Sequence, residues 1–451
     1  MRTIVLYVAL LAGVLIGFIL IDACGMNLTA PEPTASATKE ARTDHSHGAL
    51  IHLLLTLTAV VALGWFLGVL LRHLGQPPVI GEVIAGIVLG PSVLGQLSPE
   101  AASFLLPESV APFLSVIAQL GVIIYMFLIG LELNLDSLKD STQATITIAH
   151  AGIAIPFVLG AALALLLYPR LSSNDVPFTS FALFLGVAMA ITAFPVLARI
   201  LSDRGMRKTP LGVTALACAA LGDATAWCLL AFVVAVTQAK VNGAFYVIGL
   251  TVAYITLMFL IVRPVAARLL TSRDLTRGVT ALIFVALLLS ALATEYIGVH
   301  AILGAFHFGA VIPHDSAVAR EFTHKLEDLV TVLLLPAFFA FTGLRTHIGL
   351  LAGWEEWLLC GLIIAVATAG KFGGTLLAAR VTGLGWRESS ALGILMNTRG
   401  LMELIVLNIG LELKVISPQL FAMMVLMALV TTIATTPLLQ MLGVNAPTSE
   451  K

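Results

Sequence analysis

One carboxylate of this chain lies where an acidic side chain is costly. Asp223 falls at the centre of residues 211–236, LGVTALACAALGDATAWCLLAFVVAV, which are long and apolar enough to cross a bilayer. An ionised side chain at the bilayer centre costs about 2.5–3.5 kcal/mol on insertion scales, so such residues normally face a protein interior or an aqueous path. A carboxylate halfway across a membrane therefore indicates a site for a cation or a proton.

Lys371 is a second charge inside an apolar stretch, residues 358–380. Arg380 marks the end of that stretch, and at 1.5 Å per residue Lys371 lies about 13 Å from it, near the midplane. A lysine side chain does not reach the interface over that distance, so an internal partner is expected. Asp223 is the obvious candidate. Two roles stay open for Lys371, one in a structural salt bridge and one in transport.

Two apolar stretches carry residues that interrupt a helix. Residues 186–201, GVAMAITAFPVLARIL, contain Pro195, which removes a helical hydrogen bond and clashes with the preceding turn. In residues 391–410, ALGILMNTRGLMELIVLNIG, four consecutive residues interrupt the apolar run, namely Asn397, Thr398, Arg399 and Gly400. Asp223 lies on the stretch that follows the first interruption. We therefore predict two broken helices, with the site beside them.

The ends of broken helices expose unpaired backbone groups and partial charges of about half an electron. Arg399 is expected to offset the carbonyl ends, and Glu403, one turn later, to neutralise Arg399. Thr192 could offer a hydroxyl oxygen to a cation, although a bond to its own helix backbone is equally compatible with the sequence. With Asp223 and freed carbonyls it forms a reasonable set of oxygen ligands. A cation and a proton would then compete for the same carboxylate, which couples their movements directly.

Composition excludes most other classes of protein. Of 451 residues, 59% are hydrophobic and 11% are charged, and the mean hydropathy is +1.03, which indicates a polytopic membrane protein. The net charge of −1 gives no support for nucleic-acid binding. The sequence has no HExxH or GxSxG motif and no metal-type Cys spacing. We therefore predict neither an enzyme nor a cofactor or metal.

Apolar stretches of membrane-spanning length recur along the chain. We place fourteen, at 3–21, 50–71, 79–96, 110–131, 144–168, 178–201, 209–238, 243–262, 278–294, 297–313, 327–343, 356–380, 388–411 and 419–441. Residues 1–24 are interpreted as a signal sequence or an extra N-terminal helix, 25–48 as a disordered extracytoplasmic loop, 49–441 as a transmembrane domain of about thirteen helices, and 442–451 as a short tail. Basic residues concentrate on alternate loops, which places the C-terminus in the cytoplasm.

The chain also repeats itself. Residues 81–95, GEVIAGIVLGPSVLG, resemble 300–314, HAILGAFHFGAVIPH, in the spacing of small residues. The ends of the next spans, 126–138 and 337–349, are also alike. Matching spans lie seven apart, and an odd offset means that the two halves cross the membrane in opposite directions. We therefore predict the inverted-repeat arrangement of secondary transporters, with ion sites where corresponding helices are broken.

These residues resemble a known family. TAFPVLARIL (192–201), the carboxylate in the next helix, GAFHFGAVIP (304–313) and LMNTRGLMELIVLNIG (395–410) together resemble the monovalent cation:proton antiporter-2 family of the sodium/proton exchanger superfamily, and most of all the plant-type cation/H+ exchangers. The resemblance covers about 50–441. It implies an all-α polytopic protein with the sodium/proton antiporter fold, inverted repeats and two crossing discontinuous helices. It also implies a homodimer in the cell inner (plasma) membrane.

The resemblance assigns roles to several residues. It implies that Asp223 and Thr192 bind the cation or proton, that Lys371 and Arg399 compensate charge, and that Pro195, Asn397 and Gly400 belong to the helix breaks. Electrogenic relatives have two adjacent carboxylates, whereas Gly222 precedes Asp223 here.

We therefore predict electroneutral 1:1 exchange by alternating access. K+ and Na+ both stay open as the transported cation, and the plant-type resemblance favours K+. The alternative function is an anionic-solute symporter on the same fold.

Overall fold

The computed structural model describes residues 44–107, 109–132, 143–172, 176–206, 209–238, 244–270, 276–313 and 316–443. Its α-helices are α1 Asp44–His73, α2 Pro78–Leu89, α3 Leu94–Leu97, α4 Pro99–Leu105, α5 Ala111–Glu132, α6 Gln143–Leu171, α7 Phe178–Ala190, α8 Phe194–Asp203, α9 Pro210–Gln238, α10 Ala244–Leu257, α11 Arg263–Leu270, α12 Arg277–Ile297, α13 Ala301–Val311, α14 Ala317–Leu329, α15 Leu335–Arg345, α16 Trp354–Thr368, α17 Gly374–Val381, α18 Trp386–Met396, α19 Leu401–Glu412 and α20 Pro418–Met441. Three π-helical turns, Met258–Val262, Val330–Leu334 and Ala369–Gly373, join α10 to α11, α14 to α15 and α16 to α17.

Within the described residues, ten helices are long and apolar enough to cross a membrane, or eleven if a bent pair counts as one span. That pair is α18 and α19, which meet at 44°. Two shorter apolar helices, α7 and α13, fall in the predicted spans 178–201 and 297–313. The multi-pass, all-helical class is confirmed. Thirteen spans after residue 50 remain a prediction, because α7 and α13 alone are too short to cross.

Several sequence-based assignments lie outside the described residues. They are the stretch 3–21, the signal sequence or extra helix at 1–24, most of the loop 25–48, and all but two residues of the tail 442–451. Contacts divide the chain into two units, residues 1–51 and residues 52–451. The described part of the first unit is the helical start of α1. All contacts discussed below lie within the second unit.

The helices of residues 52–451 pack in two groups. The first, which we name the crossing group, contains both broken helices and consists of α6, α7, α8, α9, α16, α17, α18, α19 and α20. The second, which we name the panel group, consists of α2, α5, α12, α13, α14 and α15. The long helix formed by α10 and α11 connects α9 of the crossing group to α12 of the panel group.

Close glycine contacts recur in matched pairs across the two halves of the chain. A Cβ added to Gly186 of α7 would lie 2.9 Å from Cδ2 of Phe157, and one added to Gly393 of α18 would lie 2.9 Å from Cδ2 of Phe372. These pairs occupy equivalent places in α6–α7 and in α16–α18. The crossing group is therefore built from two copies of one packing unit.

The panel group shows the same reciprocity. In the sequence repeat, α2 corresponds to α13 and α5 to α15. A Cβ added to Gly90, directly after α2, would lie 2.7 Å from the carbonyl oxygen of Gly343 in α15. One added to Gly309 in α13 would lie 2.9 Å from Cα of Gly130 in α5. Thus α2 packs on α15, the counterpart of α5, and α5 packs on α13, the counterpart of α2. Two halves related by a two-fold axis produce this reciprocal packing. The predicted inverted repeat is present in the fold.

Candidate ion-binding site at the helix crossing

The two breaks touch each other. Residues 191–193 separate α7 from α8, and residues 397–400 separate α18 from α19. The backbone N–H of Ala193 donates to the carbonyl of Thr398 at 3.0 Å. A Cβ added to Gly400 would lie 2.8 Å from Cγ2 of Val196, so a larger residue here would force the valine side chain to shift. The predicted crossing of two discontinuous helices is therefore observed, with direct backbone contact at its centre.

Pro195 lies just inside α8, in its first turn. Proline is tolerated there because the N–H that it lacks has no helical partner in any case. The non-helical residues come before it, at Ile191, Thr192 and Ala193. The interruption therefore lies upstream of the proline instead of at it, consistent with the restriction that proline places on preceding residues.

Two buried cations satisfy the carbonyl end of α7. Arg399 donates from Nη1 to Ala188 O at 3.0 Å and from Nη2 to Met189 O at 2.7 Å. Lys371 Nζ donates to Ala190 O and, at 2.9 Å, to Gly152 O of α6. Both side chains are at least 99% buried. The last three carbonyls of α7 thus each face a positive charge, which complements the negative end of the helix dipole.

Glu403 balances the charge of Arg399. Its Oε2 accepts from Arg399 Nη1 at 2.9 Å, and both side chains are fully buried. The i,i+4 pair expected from the sequence is confirmed. Among the described residues, this leaves one cation of the crossing, Lys371, without a carboxylate in contact.

Lys371 does not form an ion pair with Asp223 in the structure. No contact within 4.0 Å joins them, although the two charges interact electrostatically. The sequence-based partner is therefore wrong as a direct contact, because the lysine donates its hydrogen bonds to the carbonyls of Ala190, at the end of α7, and of Gly152, in α6. Lys371 lies in the π-helical turn Ala369–Gly373, a local widening that often marks functional positions within helices.

Asp223 is the carboxylate left without a partner at the crossing. It is 96% buried, and neither of its oxygens has a side-chain partner or a hydrogen bond of ordinary geometry among the described residues. The backbone of Phe194, at the start of α8, lies beside it. A buried polar group without a partner is destabilising. An exchangeable ion or proton would remove that penalty.

Thr192 lies in the first break and contacts the helix end at the second. Its hydroxyl donates to Met396 O, the last carbonyl of α18, at 3.4 Å. The hydroxyl therefore bonds the opposite broken helix and not its own, and its oxygen lone pairs are left to accept or coordinate. Asn397 follows Met396 directly and is also buried, with its Oδ1 unpartnered among the described residues.

Sequence reasoning did not find the role of Thr432 in α20. Its hydroxyl accepts from the backbone N–H of Arg399 at 3.0 Å, and its single proton is shared between the carbonyls of Arg399, at 2.6 Å, and of Ala428, at 2.8 Å. One side chain thus contacts both backbone groups of a residue in the second break. Threonines form two adjacent pairs one helical turn apart in an apolar span, at 431 and 432 and at 435 and 436, and that spacing was an available signal.

A cavity of about 760 Å³ opens between the two groups of helices. Phe194, Arg199 and Ser202 of α8 line it from the crossing group, and Glu82 and Tyr125 line it from the panel group. Since the backbone of Phe194 also lies beside Asp223, the cavity reaches the neighbourhood of the carboxylate. It therefore opens toward the site from one end of the bundle.

At the opposite end of the bundle, a polar bridge joins the two groups. Arg345, at the end of α15, donates to Glu412 at 3.0 Å and to Asn408 at 3.3 Å, both in α19. Asn408 in turn donates to Thr342 of α15 at 2.9 Å. Glu327, which precedes Arg345 by eighteen residues on the same continuous helix, lines the cavity. At 1.5 Å per residue, the cavity and the bridge lie about 27 Å apart.

The model of the family described as sodium/hydrogen exchanger, transmembrane, matches residues 55–442. The chain belongs to this sodium/hydrogen exchanger family. It is 45% identical over 395 residues to the Na+/H+ antiporter NhaS4 of Synechocystis sp., covering 86% of this chain and 96% of that protein. It is 40% identical to cation/H+ antiporter 20 of Arabidopsis thaliana and 35% identical to K+/H+ antiporter 1 of Saccharomyces cerevisiae. These matches cover 85% and 81% of this chain, but only 48% and 43% of the plant and yeast proteins.

The exchanger fold is also found among solved structures. The sodium proton antiporter MjNhaP1 from Methanocaldococcus jannaschii superposes with a TM-score of 0.62 at 16% identity, covering 87% of this chain and 98% of that one. The predicted family and fold are therefore confirmed. The roles of Asp223, Thr192, Lys371 and Arg399 stay predictions, now with a defined geometry.

The buried Arg399–Glu403 pair should be far more important for stability than an exposed pair of the same spacing. We expect Arg399→Gln to destabilise the protein by about 3–5 kcal/mol, because it leaves a buried carboxylate and two helix-end carbonyls unpaired. Lys325 and Glu321 form an i,i+4 pair at 2.7 Å with side chains 56% and 46% exposed. Lys325→Gln should therefore change stability by less than about 1 kcal/mol.

Thermal unfolding of the detergent-purified variants measures both effects. Equal melting temperatures for Arg399→Gln and Lys325→Gln would show that the buried pair does not hold the crossing together.

Proposed function

We propose that this protein exchanges a monovalent cation for a proton at Asp223. The observation that carries the proposal is the unpartnered, 96% buried carboxylate at a crossing whose other charged groups already hold partners. A single carboxylate cannot hold a cation and a proton together. Loading one therefore requires release of the other, which is the coupling that an antiporter needs. Membership of the sodium/hydrogen exchanger family supports this function.

The transported cation is K+ or Na+. The relatives are named for different cations, since the Synechocystis protein is named for Na+ and the yeast protein for K+. Oxygen atoms of Asp223 and Thr192 suit either ion, because both are hard cations. Both ions therefore enter the transport experiment below.

We propose a 1:1, electroneutral stoichiometry. Gly222 precedes Asp223, and Glu403 is committed to Arg399. One carboxylate is thus left to carry one charge in each direction. Lys371 stays bound to carbonyls of α6 and α7 and is proposed to compensate charge without carrying a transported proton.

The structure supports access from one side at a time. The cavity leads toward Asp223 from the end where Arg199 and Arg320 lie, and we propose that this end faces the cytoplasm on the positive-inside rule. The bridge of Arg345 with Glu412 closes the other end. Alternating access would then move the crossing group against the panel group, in an inner (plasma) membrane and in a homodimer, with the C-terminus in the cytoplasm.

The anionic-solute symporter receives less support. An anion would need a free cation at the crossing, but Arg399 is bound through both Nη atoms and Lys371 donates to two carbonyls. Asp223 would also repel an anion.

Replacement of Asp223 by asparagine should abolish exchange while preserving the fold. Asparagine is nearly isosteric but cannot release a proton or offer a negative charge to a cation. The measurement is cation-induced proton efflux from acid-loaded proteoliposomes, with K+, Na+ and Li+ compared for the wild-type protein and Asp223→Asn. We expect a signal in the wild-type protein and none in the variant.

The same vesicles test the proposed function as a whole. A wild-type protein that is well folded yet gives no cation-dependent efflux would refute antiport and would favour the anionic-solute symporter.

Electroneutral exchange should be insensitive to membrane potential. With the potential set by an ionophore for an ion that the protein does not carry, we expect the same initial rate at 0 mV and at about −100 mV, a difference worth about 2.3 kcal/mol per net charge moved. Rates that change severalfold with the potential would overturn the 1:1 stoichiometry and leave the antiport itself intact.

Locking the closed end should stop transport. In the double variant Arg345→Cys and Glu412→Cys, a reducible thiol-specific cross-linker would tie α15 to α19, and we expect transport to fall to background. A reductant should restore it, because the bridge must open in every cycle. Each single-cysteine variant, treated in the same way, is the control. Full activity of the cross-linked double variant would exclude relative movement of the groups at this end.

A further inference from the structure

The second break contains four residues, and the side chains of two of them are already engaged. Thr398 Oγ1 lies 3.4 Å from the hydroxyl of Thr435, and Arg399 is bound to α7 and Glu403. Gly400 has no side chain. Asn397 alone presents a side-chain oxygen without a partner among the described residues, although the residue is 92% buried. A buried amide oxygen in this state is costly unless something else binds it.

The surroundings of Asn397 connect it to the carboxylate site. The carbonyl of the preceding residue, Met396, accepts the hydroxyl of Thr192. Thr192 lies two residues before Phe194, whose backbone is beside Asp223. The helix that ends at Asn397, α18, packs against α9, the helix that carries Asp223. The unpartnered oxygens of Asp223 and Asn397 therefore belong to one region and come from different halves of the chain.

We propose that the Oδ1 atom of Asn397 is a further ligand of the transported cation. The inference rests on the proposed cation/proton exchange and adds a ligand from the second repeat to Asp223 and Thr192. A neutral amide oxygen adds coordination without adding charge, so it leaves the 1:1 stoichiometry unchanged. It also makes binding depend on the relative position of both breaks, because the ligands lie on either side of the crossing.

A purely structural role for Asn397 predicts a different order of variants. Asn397 caps the C-terminal end of α18, where its backbone N–H bonds the carbonyls of the last turn. An aspartate at that negative end of the helix dipole is unfavourable, so a cap alone predicts that Asn397→Asp is worse than Asn397→Leu. A ligand predicts the reverse, because aspartate keeps an oxygen for the cation and leucine has none.

The experiment measures the apparent KM for K+ and for Na+ in proteoliposomes, together with the rise in melting temperature that each chloride salt produces in detergent, with choline chloride as the reference. For Asn397→Leu we expect an apparent KM about tenfold higher or more, the effect of losing one oxygen contact to a charged group. The maximal rate should change little, and the cation-dependent rise in melting temperature should be lost. Asn397→Asp should bind the cation better than Asn397→Leu in both assays.

Thr431→Val is the matched control. Thr431 lies on α20 but donates only within its own helix, to Met427 and Ala428, so its apparent KM should equal that of the wild-type protein. An unchanged KM in Asn397→Leu, or weaker binding in Asn397→Asp than in Asn397→Leu, would overturn the ligand role. If Asn397→Leu does not fold, Asn397→Ala takes its place in the same comparison. Absence of cation-dependent flux from the wild-type protein would instead refute the proposed function.

Discussion

A backbone interrupted inside a membrane must find its hydrogen-bond partners within the protein, and the crossing group is organised by that requirement. Lipid offers no donors or acceptors to the free ends of a broken helix. Here the two breaks satisfy one another through Ala193 and Thr398, while Arg399 and Lys371 take the final carbonyls of α7. The fold keeps two costly cations in its interior because the helix ends need them.

This arrangement explains why Asp223 differs from the other buried carboxylate. Glu403 lies one turn from Arg399 and forms a fully buried ion pair, so its charge is fixed. Lys371 is close enough to interact electrostatically with Asp223, but its hydrogen bonds go to backbone carbonyls. Asp223 thus experiences a positive field without a direct bond. A carboxylate held in an ion pair would have to break that pair to accept an ion, whereas the exchange proposed at Asp223 would require no such break.

The sequence predicts most of the charged residues of this site, because a charge in an apolar span is rare and costly. This reasoning identifies four residues: Asp223, Lys371, Arg399 and Glu403, the partner of Arg399. The predicted partner of Lys371 was wrong because a lysine donates hydrogen bonds to an unpaired backbone carbonyl as readily as to a carboxylate. The residue types do not show which backbone carbonyls a helix break leaves unpaired. Thr432 was missed for a related reason, since threonine in a membrane helix usually bonds its own backbone.

The sequence predicts the fold more completely than it predicts the polar contacts that join the two helix groups at the ends of the bundle. Small-residue spacing gave the inverted repeat, and the structure shows why, because matched glycines such as Gly90 and Gly309 sit at close helix contacts. Arg345 and Glu412 could not be paired from the sequence. They are 67 residues apart, stand at the ends of different spans and are 27% exposed. Nothing in their local sequence separates them from ordinary interfacial charges.

The repeat also limits what can distinguish the two sides of the membrane. The glycine contacts of the panel group and of the crossing group occur in matched pairs, so close packing of the backbone is nearly the same seen from either end. The asymmetry comes from side chains at the ends of the helices. Arg345, Asn408 and Glu412 join the two groups at one end, while charged residues such as Glu82 and Arg199 line an open cavity at the other. Because the packing is nearly symmetric, the alternating access proposed above would depend on the small number of polar contacts at each end.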